Sequence, residues 1–236
     1  MSFNDFSKRT EISEWMDGPC GEQELHDCLH DLEWVNRLVF VYQPTLRWLT
    51  SITSMHRAPL HIADVGCGGG DMLRAIERWA IRRSIVVKLT GVDMNERAIR
   101  FAQSRTDAAS GIHYVHGNAG GNPDVRNVDL IISSHMTHHL SDNEIVRFLH
   151  WMEENARVGW FINDLHRERV PYQAFRLLAR AMRWHRFIQH DGPVSVLRSF
   201  QPEDWERYLA AAEIHGAEIR TAWPGRLCVQ RTIAHA

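Results

Sequence analysis

Apolar residues recur at Leu25, Leu29, Leu32, Val35 and Val39, a spacing that puts them on one face of a helix over Glu22–Phe40. Pro44 interrupts this pattern before a second helical piece carrying Leu46, Trp48 and Leu49. From Leu60 onward the pattern changes. Short apolar runs at Leu60–Val65, Val86–Val92, Ile112–Val115, Val128–Ser133 and Val158–Asn163 alternate with helical stretches at Asp71–Ile81, Asn95–Ser104 and Asp142–Asn155. Apolar runs punctuated by helices predict an α/β fold whose parallel sheet is covered on both faces. After Asp164 an insert over 165–198 reads as helical in its middle, Tyr172 to Ile188, and a further helix follows over Pro202–Glu213. Glu218–Trp223 and Arg226–Thr232 pivot on Pro224-Gly225 and read as a terminal hairpin. The expected architecture is a doubly wound, mostly parallel seven-stranded sheet with an antiparallel C-terminal hairpin. Residues 1–57 form a helical cap or lid, and residues 58–236 form the main domain with its helical insert.

Chain length and charge narrow the picture. At 236 residues, one domain with modest additions can bury a full core without disulfides or metal. The net charge of −2 gives no global sign of a nucleic-acid partner. The four cysteines, Cys20, Cys28, Cys67 and Cys228, form no C-x-x-C pair and read as free thiols of a reducing, cytoplasmic compartment. Met1-Ser2-Phe3-Asn4-Asp5 shows no basic region followed by an apolar run, and no apolar stretch is long enough to span a bilayer. The fifteen histidines include no H-E-x-x-H, so no metal is expected. A monomer or homodimer is expected.

Ligands of open parallel sheets bind at the carboxyl ends of the strands, near the reversal in strand order. Gly66, Asp93, Asn118, His135–His139 and Asp164 all fall at such ends. The stretch His61-Ile62-Ala63-Asp64-Val65-Gly66-Cys67-Gly68-Gly69-Gly70 runs from a buried strand into a glycine turn, and helix-forming residues follow at once. Such a turn permits close backbone approach to a ligand. A dinucleotide loop would read G-x-G-x-x-G, but here Asp71 stands in the third glycine's place and would face a pyrophosphate. Asp64, before the first glycine, suits a ligand carrying a positive amine.

On these residues the chain resembles the class I S-adenosylmethionine-dependent methyltransferases, whose first motif reads acidic-x-G-x-G-x-G. The resemblance covers roughly Leu60 to Asp164 and implies the Rossmann-like fold of that family with S-adenosyl-L-methionine as cofactor. Asp64, Gly66, Cys67, Gly68 and Gly70 would then border the cofactor. Asp93, in Thr90-Gly91-Val92-Asp93-Met94-Asn95, is placed to accept two hydrogen bonds from a ribose diol, with Met94 beside it. NAD sites use the same device, so Asp93 indicates a nucleoside without choosing one. In Gly117-Asn118-Ala119 the family commonly has an Asp against the adenine amino group. Here Asn118 replaces it, and its carbonyl can accept that bond.

Val128-Asp129-Leu130-Ile131-Ile132-Ser133-Ser134-His135-Met136-Thr137-His138-His139-Leu140 looks like the fourth-strand exit of small-molecule methyltransferases. Ser134 and His135 would lie on the cofactor side. His138 is the candidate general base, because imidazole titrates near neutrality, and Asp164 would orient it. His139 would hold the loop. Arg167, His166 and His190 around the insert suit either a polar or acidic acceptor or a solvated basic face. The expected function is O-methylation of a phenolic or polyketide-like hydroxyl on a small-molecule acceptor. C-methylation of an aromatic or quinone precursor is the nearest alternative. An NAD-dependent oxidoreductase and a non-catalytic protein that binds S-adenosylmethionine are rivals from other classes. A nucleic-acid methyltransferase would carry D/N-P-P-Y/F where this chain reads Ser133-Ser134-His135-Met136.

Overall fold

The computed structural model describes residues 5–18, 20–55 and 59–233. Within the expected N-terminal section, Met1–Asn4, Pro19, His56 and Arg57 therefore lie outside the described residues, and with them most of the stretch read for a leader. Two helices open the chain, α1 (Glu22–Leu38) and α2 (Tyr42–Met55). They are followed by β1 (Leu60–Val65), α3 (Asp71–Arg83), β2 (Val87–Asp93), α4 (Glu96–Ser104), β3 (Ile112–His116), β4 (Val128–Ser134), α5 (Asp142–Asn155) and β5 (Ala156–Leu165). The chain ends with α6 (Arg169–Ala181), α7 (Arg186–Arg198), α8 (Pro202–Ala211), β6 (Glu218–Ala222) and β7 (Arg226–Thr232).

The seven strands form one sheet in the order β3-β2-β1-β4-β5-β7-β6. Strands β1 to β5 pair in parallel, and β7 runs antiparallel to both β5 and β6. The order reverses between β1 and β4, where Asp64 lies beside Ile132. Side chains of β1 and β4 alternate between two buried layers. Ile62, Leu130 and Ile132 pack with Leu73, Ile76 and Trp79 on one face, and Ala63, Val65 and Ile131 pack with Ile145, Leu149 and Trp205 on the other. Burial on both faces explains why these strands read as continuous apolar runs.

Helix ends carry their own signals. The Asn95 side chain accepts from the backbone N–H groups of Arg97 and Ala98 at the start of α4. The Glu144 carboxylate reaches back to the backbone N–H of Ser141 at 2.9 Å to start α5. Pro44 falls in the first turn of α2, where a missing N–H costs nothing, so the break expected there comes earlier, at Phe40, whose φ is +55°. Helix α2 joins the sheet's core, with Trp48 stacked on Phe161 at 5.1 Å between ring centroids.

The insert departs from the single helix expected over Tyr172–Ile188. It contains two helices, α6 and α7, separated at Arg183, whose backbone is left-handed at φ +52°. The reversal lets Trp184, Phe187 and Ile188 turn inward against Cys28 and Val35 of α1. Burial of these side chains, which sequence periodicity read as a continuation of α6, decides the break. Among the described residues no helix is long and apolar enough to cross a membrane.

Candidate active site

The glycine loop leaves β1 at Val65 and enters α3 at Asp71. The N–H groups of Gly66 and Cys67 both donate to the carbonyl of Val92, at 2.9 and 3.2 Å, which ties the loop to β2. Gly70, at φ +73°, has no room for a side chain, since a Cβ there would lie 2.4 Å from the Tyr114 hydroxyl. Gly68 is glycine for its backbone, which is left-handed at φ +50°, and a Cβ there would meet nothing within 4 Å, so this side of the loop borders open space. Asp93 braces the loop from below, its carboxylate accepting from the N–H of Gly68 and the N–H of Asn95, each at 2.8 Å. A carboxylate has further lone pairs for a diol.

Helix α1 is fastened over this loop. Asn36 and the Tyr42 hydroxyl donate to Asp71 at 2.8 and 2.7 Å, while Arg74 pairs with buried Glu33 at 2.9 Å and donates to the Gly69 carbonyl at 2.7 Å. The N-terminal segment then crosses above. Arg9 donates to the carbonyls of His138, Leu140 and Arg198, and Asp191 of α7 accepts from the N–H groups of Trp15 and Met16 at 2.8 and 3.0 Å. Trp15 stacks on His190 at 3.9 Å, which is where that histidine's ring goes.

Together these elements enclose a cavity of about 180 Å³ bounded by Gly66–Gly69, Ser134, His135, His138 and His139. Two buried oxygens near it have no hydrogen-bond partner, Oδ1 of Asp64 and Oγ of Ser134. Burial, with Asp71 and Asp93 nearby, raises the Asp64 pKa well above the usual carboxylate range. A cationic amine would satisfy that carboxylate and restore its charge. These orphaned oxygens and the open side of Gly68 therefore fit an amino-acid-bearing nucleoside. Cys67 is buried, its thiol pushed well up by desolvation, so its backbone and not its sulfur serves the loop. Asp64, Gly70 and Asp93 adjoin the loop without lining the enclosed cavity, and Met94, Asn118 and Ala119 are not brought into it either. Met94 and Asn118, which follow β2 and β3, are exposed, and Asn118 accepts from the N–H of Gly120 at 2.8 Å.

His138 and Asp164, distant in sequence, meet at 2.7 Å between Nδ1 and Oδ1, both fully buried. The Asp164 carboxylate also accepts from Thr137 Oγ1 and from the N–H groups of His138 and Leu165, which locks its orientation. On the far side of the ring, Glu14 approaches His138 Nε2 at 3.5 Å and His139 Nε2 at 3.9 Å, and Ser195 donates to it at 2.8 Å. Burial pushes the His138 imidazole down, but Asp164 and then Glu14 more than offset it, and its pKa is raised to about 9. Burial raises Asp164 in turn, yet the imidazolium beside it holds it well below the carboxylate range. The Glu14, His138 and His139 ligand-type atoms lie within 4.8 Å of one another, an arrangement open to a proton or a cation. His135, at φ +57°, is desolvated and faces the charge of Arg226, so its imidazole stays neutral, with Nε2 unpartnered.

Sequence reasoning missed Glu14, Ser195 and Arg226. Glu14 sits in Ile12-Ser13-Glu14-Trp15, which has no period that marks a buried acid, and Arg226 opens a strand whose alternation carries no sign of its burial.

A methyltransferase domain family model matches residues 62–159. A search of curated proteins finds no significant match. Similar solved structures include the plantazolicin methyltransferase BpumL in complex with S-adenosylhomocysteine, at 14% identity and TM-score 0.64, covering 89% of this chain and 95% of that one. Human N-acetylserotonin methyltransferase in complex with S-adenosylmethionine matches at 13% identity and TM-score 0.60, over 89% of this chain and 56% of that one. The citrinin polyketide synthase CMeT domain matches at 14% identity and TM-score 0.58, over 80% of this chain and 51% of that structure's. The chain thus spans about half the length of the last two. At these identities the likeness is one of fold.

Proposed function

We propose that the chain is a class I S-adenosylmethionine-dependent methyltransferase that methylates a hydroxyl of a small phenolic or polyketide-like acceptor, a reading supported by the methyltransferase domain model over residues 62–159 and by the shared fold. The observation that carries this reading is the 2.7 Å His138–Asp164 pair in the wall of the cavity bordered by the glycine loop. S-adenosylmethionine supplies a methyl group already activated by the sulfonium. Gly66, Cys67, Gly68 and Gly70 would lie against it, with Asp64 and Ser134 answering its amino-acid end and Asp93 its ribose. Met94, Asn118 and Ala119 would flank its base from the ends of β2 and β3.

Asp164 holds the imidazole with Nε2 directed toward Glu14, which stands where an acceptor hydroxyl needs a base. An entering hydroxyl displaces Glu14, which takes the Nε2 proton with it as a carboxylic acid, and the neutral imidazole so formed would accept the hydroxyl proton at Nε2 as the oxygen takes the methyl. His139 supports the loop at the ring's face, its centroid 4.3 Å from that of His138. The N-terminal segment and α1, over the cavity, exclude water while acceptor and cofactor are held together.

Radiolabelled S-adenosylmethionine offered with a panel of alkyl phenols tests this reading. Label is expected on oxygen, and label on ring carbon would overturn the hydroxyl assignment. His138→Ala should lower the single-turnover rate by about 10²–10⁴-fold with S-adenosylhomocysteine affinity nearly intact. Asp93→Ala should do the converse and weaken S-adenosylhomocysteine binding by about 1.5–3 kcal/mol. Calorimetry that shows NADH bound and S-adenosylhomocysteine not bound would remove the methyl-transfer reading.

A further inference from the structure

A second, larger depression opens on the surface between α6, the turn joining β6 to β7, and residues 38–40. It is an apolar groove of about 780 Å³. Its rim exposes Phe40, Val170 and Trp223, the last two at 77% and 78%. Side chains of this size left in water on one rim mark a binding surface. Leu165, Phe175, Val196 and Arg226 line both the groove and a small inner chamber of about 90 Å³. That chamber in turn shares Glu14, His135 and Ser195 with the cavity at the glycine loop. Groove, chamber and cavity therefore adjoin one another through shared walls, from solvent inward to the His138 side of the site.

Arg226 stands at the junction. It is 3% exposed, and its Nε and Nη1 have no hydrogen-bond partner among the described residues. Asp164, whose charge it feels, is already engaged at both oxygens, by His138 and Leu165 at Oδ1 and by Thr137 and the His138 N–H at Oδ2. Burial lowers the guanidinium pKa only to about 10, so it carries its charge at neutral pH. A buried guanidinium with idle donors is expensive, and such groups are found paired. Arg226 lies opposite Leu165 in the β5–β7 register, a buried position where an apolar residue would pack without cost. His135 adds a second unpartnered buried nitrogen on the same chamber.

We propose that Arg226 anchors a carboxylate on the methyl acceptor, whose apolar body lies in the groove. The planar guanidinium fork matches a carboxylate with two parallel hydrogen bonds. The inner chamber, about 90 Å³ and mostly apolar, has Glu14 and Asp191 among its walls, so it favours a singly charged carboxylate over a phosphate ester. The groove beyond is apolar, so the charge belongs to one end of the ligand only. The acceptor class is therefore an apolar hydroxy acid whose hydroxyl lies on the acid's side of the molecule, so that it faces His138 while the apolar body stays in the groove. This assignment rests on the methyl-transfer reading of the cavity.

Isothermal calorimetry on the full chain tests it with two probes, 4-butylbenzoate and its neutral amide, after saturation with S-adenosylhomocysteine. The benzoate is expected to bind at least tenfold more tightly than the amide. Arg226→Met should weaken the benzoate at least tenfold and the amide less than threefold, and Arg226→Lys should keep part of the preference. Equal affinity of acid and amide for the wild type overturns the proposal, as does Arg226→Met with undiminished benzoate binding. If Arg226→Met loses its melting transition, the wild-type comparison and Arg226→Lys decide. Wild type that binds S-adenosylhomocysteine but does not discriminate the probes sinks this inference alone. Wild type that fails to bind S-adenosylhomocysteine sinks the methyl-transfer reading instead.

Discussion

Glu14 lies 3.5 Å from one histidine and 3.9 Å from the next, and its charge governs what His138 can do. The groups facing the His138 ring are Asp164 on β5, Glu14 on the N-terminal segment, and His135 and His139 on its own loop, with Arg226 of β7 beside His135. Two carboxylates outweigh desolvation and keep the ring protonated up to about pH 9. A base must be neutral, so activity rises as pH passes through that value. Glu14→Gln removes one of the raising charges. The ascending limb of kcat/KM, which reports the free enzyme, is expected to move to lower pH in that variant. A limb that stays at the wild-type pH would mean that Glu14 does not hold His138 charged. Residue chemistry of this kind was partly legible beforehand. His138 and Asp164 follow strand ends in the sequence, where their roles can be anticipated. Glu14 lies 181 residues from the serine that donates to it, and no local pattern pairs them.

At the scale of elements, the cover over the cavity is built from pieces with little contact to the sheet. Residues 14–17, α1 and α7 pack on one another through Cys28, Val35, Phe187 and Ile188, apart from the two layers that sandwich the strands. Asp191 is the fastening, since one carboxylate accepts from two successive N–H groups, Trp15 and Met16. Hydrogen bonds to a charged group contribute about 1.5–3 kcal/mol each, more than enough to set how often the segment opens. Asp191→Ala is expected to accelerate amide hydrogen exchange at Trp15 and Met16 at least tenfold, with the amides of β1 and β4 unchanged. Unaltered exchange at those two residues would show the segment held by its other contacts, through Arg9 and Thr10. Helical spacing announced α1 in advance, and the strands were legible within one to two residues. The last two residues of β5, to Leu165, and the division of the insert at Arg183 were not, because both depend on what the chain packs against. Antiparallel pairing with β7 extends β5, and burial of Trp184 turns the insert.

For the molecule as a whole, the buried His138–Asp164 pair links stability to pH. The folded pKa of His138 is raised from 6.5 to about 9, so the charged ring contributes fully below about pH 6.5 and loses that contribution as pH rises through about 9. The melting temperature of wild type should therefore exceed that of His138→Gln by a margin that narrows between pH 6 and pH 9.5. A margin that stays constant across that window would mean the ring is neutral in the fold. The sequence by itself determined the alternation of strands and helices, the glycine loop with Asp64 and Asp93, and the strand-end position of His138. Each of these rests on backbone geometry and on periodic burial, which are properties of short stretches. Tertiary structure alone decided the charge state of His138, the placing of Glu14 over it and the idle guanidinium of Arg226 at the inner end of the groove. Those arise where segments far apart in the chain are packed together out of water, and there desolvation and unpaired charge outweigh any local preference.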